Sequence, residues 1–600
     1  MTGTEYVVQY KIPLNANYRG LMLPYDIVEA ALGKISSDIC YSNCFYVDFY
    51  TNSIRGPASI TIYKGYIVGI NENLPTKQRI DLDGLCVCPG LVDAHVHIES
   101  SLVHPREFCN LVTPHGTLTA IADPHEIANV LGYDGIHWML KASEGIPLEV
   151  FFMAPSCVPA TSFDTAGASL YASDLAPFTR EPRVLGLGEV MNYPGILSGD
   201  LQLRDKLSLF WENGKVIDGH SPGLSGKELS AYVISGIRSD HEATTPEEAL
   251  EKLSKGMWIM ARFGSSARDL EHLVPAMSHD TVHRMMLCTD DRHPHDIVRE
   301  GHIDAAVRIL QEHGIPLIDA LRMAAHNPSI YFGLRRSGSI APGYKANLIA
   351  FNHNELFSVE KVIKEGTIIA EQGKKTSAWT ELFSSVGPLP RVRDSVNVKW
   401  LDESAFTIPF TGKKIRVIDA VPGSIVTGKS ILEPSVENGL CVADPERDLL
   451  KLFVIERHGG TGSIGKGFIR GLGLKHGAIG STVSHDSHNI IVAGTDDSSI
   501  FKAVKRLNAI KGGYVITDRD TIIAELPLPI AGLMSDRSIS DVLASLEKFS
   551  LYFEQEGIQN VSPLMLLSFM ALPVIPSLKL TDQGLVDVES FKLVDLFVEE

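Results

Sequence analysis

The chain has 600 residues, too many for one hydrophobic core, and at about 150 residues per domain it should divide into about four units, fewer if one is a barrel. It is 44% hydrophobic and 21% charged, an ordinary globular balance. A formal charge of −18, with no long Lys/Arg run to offset it, argues against nucleic acid and anionic membrane surfaces as partners.

The start, Met1-Thr2-Gly3-Thr4-Glu5-Tyr6, has neither a basic nor an uninterrupted apolar stretch. Nowhere do about 18 apolar residues run together without charge, so a cytoplasmic location is expected. Residues 1–40 are a segment whose role cannot be read, with a helical run from Tyr25 to Leu32 that stops at Gly33. From residue 41 to 90 the texture changes to short β runs: Cys44-Phe45-Tyr46-Val47, Ala58 to Tyr63, and Tyr66 to Ile70, which predict a small β domain. The 8 cysteines are too few for a disulfide scaffold. Cys40/Cys44 and Cys86/Cys88 lack a matching histidine pair or second Cys-x-x-Cys, so they read as reduced and buried.

The next stretch is Gly90-Leu91-Val92-Asp93-Ala94-His95-Val96-His97-Ile98-Glu99. On a strand, His95 and His97 leave the backbone on one face, as two ligands of one metal ion would. Short apolar runs then alternate with helical stretches. Eight candidate strands follow: Leu91 to Ile98, Thr117 to Ala122, Leu148 to Met153, Val184 to Val190, Val216 to Gly219, Val233 to Ser239, Met257 to Arg262, and Met285 to Thr289. This is the pattern of a (β/α)8 barrel over residues 91–329, within an α/β fold class. Thr245-Pro246-Glu247-Glu248 carries the cap, proline and acidic residue of a helix start, followed by Leu250 and Leu253 on one face. Helices near Ile303 to Leu310 and Leu317 to Ala325 should close the barrel, the last one stopped by Asn327-Pro328. A linker begins near Pro388-Leu389-Pro390, and residues 390–600 form a further α/β unit, with Phe453-Val454-Ile455 and Ile490 to Ala493 as strands. Gly460 through Lys466 fits most of a phosphate-binding loop, but Gly467 stands where Ser or Thr should follow, so no nucleotide site is expected there.

In a barrel the C-terminal strand ends converge on one mouth. Here they carry His95 and His97, Glu189, Asp218-Gly219-His220, Asp240-His241-Glu242 and Thr289-Asp290-Asp291. His95, His97, Glu189, His220, His241 and Asp290 are too many ligands for one tetrahedral zinc. They suit two divalent ions about 3.5–4 Å apart with Glu189 between them. Mixed imidazole and carboxylate donors fit Mn²⁺, Fe²⁺ or Zn²⁺.

Pro89-Gly90-Leu91-Val92-Asp93-Ala94-His95-Val96-His97 resembles the first barrel strand of the amidohydrolase superfamily, and His97-Ile98-Glu99-Ser100-Ser101 resembles its adenine deaminase branch. Asp123-Pro124-His125-Glu126-Ile127-Ala128-Asn129, Glu456-Arg457-His458 and His485-Asp486-Ser487-His488-Asn489 resemble the same branch. The resemblance implies a metal-dependent hydrolase of purine salvage that converts adenine to hypoxanthine and ammonia by means of a metal-bridging hydroxide. It assigns His95, His97 and Asp290 to one ion, His220 and His241 to the other, and Glu189 to the bridge, with Asp290 moving the proton. Gly338 to Ala350 resembles the segment by which such enzymes return to their β domain, so that residues 41–90 plus 330–385 would form one discontinuous unit. Two readings of Asp123, His125 and Glu126 stand side by side: a proton shuttle at Glu126 with purine contacts, or a cap on the following helix. The cluster His485, Asp486 and His488 either reaches the barrel mouth to contact substrate or forms a polar network within its own domain.

Where relatives usually read Arg-Glu-Gly-Ser on strand seven, this chain has Arg262-Phe263-Gly264-Ser265, a departure expected to bear on substrate preference. Rival readings are another binuclear amidohydrolase that opens a cyclic amide or amidine or deacetylates an amino sugar, and a non-catalytic scaffold. The six ligands, all retained, argue against the scaffold. A homo-oligomer, most simply a dimer, is expected from the frequency of such assemblies among enzymes.

Overall fold

Val92, Ala94 and Val96 alternate with Asp93 and His95, and the strand Leu91–Val96 is buried along its whole length. Strands buried on both faces are what a parallel sheet covered by helices requires. A computed structural model describes residues 23–265, 267–399, 401–421, 424–558 and 563–598. Residues 1–22, most of the N-terminal segment left unread above, lie outside the described residues.

Five parallel strands, Leu91–Val96, Thr117–Ala122, Glu149–Ala154, Val184–Val190 and Val216–Gly219, lie side by side in chain order. Three more, Ser239–Asp240, Trp258–Arg262 and Met285–Cys288, form a second parallel sheet. The edges of the two sheets meet. Arg238 N–H donates to Ile217 O at 3.0 Å, and on the other side Asp290 N–H donates to His95 O at 2.9 Å and His97 N–H to Asp290 O at 3.2 Å.

Several local expectations are corrected. Val233 belongs to the helix Gly226–Ile234, whose buried side chains Leu229 and Tyr232 are three apart, so the sixth strand begins only at Ser239. In the helix Pro246–Ser254 the Thr245 hydroxyl accepts from Glu248 N–H as expected. However, Ala249 and Lys252 are its buried residues, while Leu250 is 43% exposed. Asn327-Pro328 does not stop the last helix. A wide π turn over Arg322–His326 resets the path, and Pro328 falls in the first turn of Asn327–Tyr331, where no N–H is needed.

Strands from both flanks of these elements join one nine-stranded sheet, in which Cys86–Pro89 lies between Ser37–Asp48 and Leu348–Phe351. In the Gly338 to Ala350 segment only Leu348 onward is strand, and it pairs with Cys86–Pro89 on one side and Val359–Lys364 on the other. All 8 cysteines are buried and free.

A second nine-stranded sheet runs through residues 414–598. In Leu450–Ile455, Phe453 and Ile455 pack toward the helix Asp497–Ala509, while Leu450, Leu452 and Val454 join a core shared with the 91–240 region. Alternation thus gives this sheet two apolar faces, and one of them docks the C-terminal unit on the first. The Gly460 to Gly467 stretch runs into the strand Ile464–Arg470 with no helix after it, so the geometry of a phosphate-binding loop is absent.

Candidate metal centre

The six strand-end residues converge. His95 and His97 present their Nε2 atoms to each other at 3.2 Å. Asp290 Oδ1 lies 3.1 Å from His97 Nε2 and 3.6 Å from His95 Nε2, and Glu189 Oε1 lies 3.3 and 3.8 Å from the same two atoms. The other oxygen of Glu189, Oε2, lies 2.6 Å from His220 Nδ1 and 3.2 Å from His241 Nε2. Glu189 therefore faces two imidazole pairs, one with each oxygen. His97 Nδ1 lies 2.9 Å from Asp123 O, so a proton there leaves Nε2 with its lone pair toward the cluster. Buried imidazole nitrogens and carboxylate oxygens pointed at one another, within 4.8 Å in overlapping groups of three, are the donor set of divalent cations.

Local structure positions the two carboxylates. Asp290 has φ +58°, a left-handed conformation costly for a residue with a Cβ, and the two backbone hydrogen bonds to His95 and His97 hold it there. Arg262 Nη1 lies 2.9 Å from Asp290 Oδ2, which leaves Oδ1 to face the histidines. The same guanidinium also pairs with Glu242 and with Asp269 at 2.8 Å. Burial opposes its charge, but these three carboxylates raise it well above the usual range. On the fourth strand Asp123 Oδ2 accepts the Glu189 N–H at 2.9 Å. Gly188 makes this approach feasible, since a Cβ there would stand 2.1 Å from Asp123 Oδ2.

Burial disfavours ionised Glu189, yet His220 and His241 outweigh it and hold the carboxyl well below its ordinary value. Asp290 likewise is opposed by burial and held well below its ordinary value by His97 and Arg262.

A cavity of about 60 Å³ opens over the cluster. His125, Glu126, His485 and Asp486 line it, whereas Asp123 and His488 stand one layer behind. Glu126 joins the two halves of the chain: its Oε1 lies 2.7 Å from His485 Nδ1, and its Oε2 contacts His488 Nε2. Ser484 N–H donates to His488 Nδ1 at 3.1 Å, which places a ring proton on Nε2, toward Glu126. Of the C-terminal cluster, His485 and Asp486 line the cavity, and His488 stands behind them against Glu126. Asp123 makes no cap on the helix His125–Leu131.

Phe263 does not line the cavity. It is buried outside it, its ring 4.0 Å from the Arg292 guanidinium and 4.8 Å from that of Arg268. Strand alternation is the reason: Arg262 points into the mouth and Phe263 away from it.

Sequence reasoning passed over several contributors. Arg262 carried a signal, a charged residue ending the apolar run Trp258 to Ala261. Glu242 and Asp291 also line the cavity and stood in quoted strand ends without a role. The apolar lining from Ile425, Phe569, Leu572, Val574 and Ile575 had no signal, because such residues read as ordinary core.

Residues 86–369 match the amidohydrolase family, and residues 424–592 match the adenine deaminase C-terminal domain. The chain is 46% identical over 571 residues to adenine deaminase 2 of Carboxydothermus hydrogenoformans, covering 95% of this chain and 98% of the relative. It is 45% identical over 579 residues to the adenine deaminase of Thermosipho africanus, covering 96% and 99%. Among solved structures it is similar to a β-aspartyl dipeptidase of Fervidobacterium islandicum AW-1, at 16% identity and a TM-score of 0.44, covering 57% of this chain and 98% of that one.

Proposed function

The chain belongs to the adenine deaminase family of amidohydrolases, and from that membership we infer that it hydrolyses adenine to hypoxanthine and ammonia. The observation that carries the chemistry is Glu189 set between two imidazole pairs under a small cavity. We take the two parallel sheets as one closed (β/α)8 barrel over residues 91–329, with a β domain from residues 41–90 plus 330–385 and a deaminase C-terminal domain over 390–600. The hydrogen bonds at both sheet edges support the closure.

The donor set fits two divalent cations, Mn²⁺ or Fe²⁺ before Zn²⁺, with His95, His97 and Asp290 holding one, His220 and His241 the other, and Glu189 shared. What such a pair supplies is a water acidified from about 15.7 toward about 7, hence a nucleophile at neutral pH. The chain's own residues do the rest. Asp290, oriented by Arg262, takes one proton of the water as its oxygen bonds to C6 of adenine; the C6=N1 π pair moves to N1, which gains a proton, and C6 becomes tetrahedral. The remaining hydroxyl proton passes by way of Asp290 to the amino nitrogen as the C6–N bond breaks, so that ammonia leaves and the oxygen remains as the hypoxanthine carbonyl. Glu126, between His485 and the cavity, is placed to carry a proton between ring and solvent side. Asp486 and His125 offer polar edges to the purine, and the apolar lining offers a surface to its faces.

A homodimer in the cytoplasm, serving purine salvage, completes the reading. The charge of −18 suits a partner set without nucleic acid, and no helix among the described residues is long and apolar enough to cross a membrane. The test is ammonia and hypoxanthine release from adenine by protein reconstituted with Mn²⁺ or Fe²⁺. Release refutes both rivals, while tight metal binding without release removes the substrate assignment.

A further inference from the structure

Lys579 lies in the strand Leu578–Thr581 with none of its surface exposed. Its ammonium donates to two main-chain carbonyls, Ile425 O at 2.9 Å and Phe569 O at 3.0 Å. Among the described residues no carboxylate pairs with it, and burial alone pushes its pKa down to about 7. An ammonium in such a place is costly, and an apolar residue of the same length would serve a core better. A buried charge without an anion calls for a reason in what it holds.

Both acceptors belong to segments that line the cavity over the imidazole–carboxylate cluster. Ile425 comes from one, Phe569, Leu572 and Ile575 from the other. The first segment is further fastened where Thr427 Oγ1 donates to Leu578 O at 2.9 Å and Ser577 N–H donates to Thr427 O at 3.1 Å. The second leads to the polar side: the Phe569 ring stacks on His485 at 4.5 Å and 9°, and His485 N–H donates to Ser568 O at 3.0 Å. The Phe569 carbonyl that Lys579 grips is therefore one step from the imidazole in contact with Glu126.

We propose that Lys579 is a positioning residue of the base pocket, tying the Ile425 segment to the Phe569 segment and so fixing the apolar wall against which the purine ring rests. This rests on reading the cavity as the adenine site. Apolar side chains on two separate stretches make a wall of defined width only if their backbones are held together. A charge-assisted pair of hydrogen bonds from one ammonium does that at a single point.

The decisive variant is Lys579→Met, close in length and without donors. The gain from removing a buried charge offsets the loss of a donor to Ile425 O and Phe569 O, so thermal stability should change little, whereas the loosened wall raises KM for adenine about tenfold, with kcat within about threefold. Discrimination of adenine against N6-methyladenine should fall at the same time. An unchanged KM and unchanged discrimination would overturn the proposal, as would losses only in proportion to unfolded protein. A second measurement does not depend on turnover. Amide hydrogen exchange in the full-length, metal-loaded protein should quicken about tenfold in residues 424–428 and 566–576 of Lys579→Met. Unchanged protection there overturns the role of Lys579 even in a protein that deaminates adenine, and quickened exchange upholds the tie even in one that does not.

Discussion

Replacing Glu126 by Gln keeps the shape of the side chain and removes its charge and one acceptor. The carboxylate is buried among three imidazoles: His485 at 2.7 Å, His488 in direct contact, and His125 at 3.4 Å. Burial opposes ionisation, but His485, His488 and His125 together hold the group well below its ordinary value. A carboxamide has one acceptor oxygen, so it can serve His485 or His488 and must turn its NH₂ to the other. The structural cost of one buried imidazole without an acceptor is about 1–3 kcal/mol of stability. The catalytic cost is larger if Glu126 moves a proton in the reaction: loss of a positioned acid–base group lowers kcat by about 10²–10⁴, or about 3–5 kcal/mol of barrier. Steady-state ammonia release, read beside metal content and thermal unfolding, separates the two. A variant that keeps its metals and unfolds only slightly earlier should still lose about a hundredfold or more in kcat. A kcat within about threefold of wild type at full metal content would refute the proton-carrying role and leave Glu126 as a brace between domains.

Three other outcomes follow from the same geometry. His485 is opposed by burial but raised from 6.5 to about 9 by Glu126, so its contact stabilises fully below pH 6.5 and the contribution is lost as pH rises through about 9. At about 1.4 kcal/mol per unit this amounts to at most about 3 kcal/mol, and the unfolding temperature of wild type should fall more steeply over pH 6.5–9 than that of Glu126→Gln; parallel curves would contradict it. Gly188→Ala places a Cβ 2.1 Å from Asp123 Oδ2, so it should cost about 1–3 kcal/mol and weaken metal retention by shifting Glu189, both read from unfolding and metal content. Phe263→Glu puts a carboxylate between Arg268 and Arg292, outside the cavity, and should leave kcat/KM for adenine within about threefold; a larger change would mean that this position does reach the substrate.

The parts legible in the sequence were those that one-dimensional periodicity records. Seven of the eight expected strands were placed within a residue or two because each is a short apolar run, most of them ending in His, Glu or Asp. The sixth was not, because a two-residue strand at Ser239–Asp240 leaves no run to see and the neighbouring helix supplies a false one. The six converging side chains were visible because donor chemistry restricts residue types and the ends of parallel strands restrict their place. The docking of His485 on Glu126 joins positions 359 residues apart, a contact carried by tertiary packing of two apolar surfaces and written in no local pattern. Where Phe263 points was also not legible: the motif comparison marks the position, and strand alternation turns the side chain away from the mouth.

The measurement that tests the central claim most directly is adenine turnover as a function of added Mn²⁺ or Fe²⁺, in wild type and in Glu189→Gln and Asp290→Asn. The geometry of one carboxylate facing two imidazole pairs predicts that activity saturates at about two metal equivalents per chain. Glu189→Gln should fail to retain the pair, while Asp290→Asn should fall by about 10² or more in kcat. Saturation at one equivalent, or full activity in either variant, would contradict a shared-carboxylate centre as the seat of deamination.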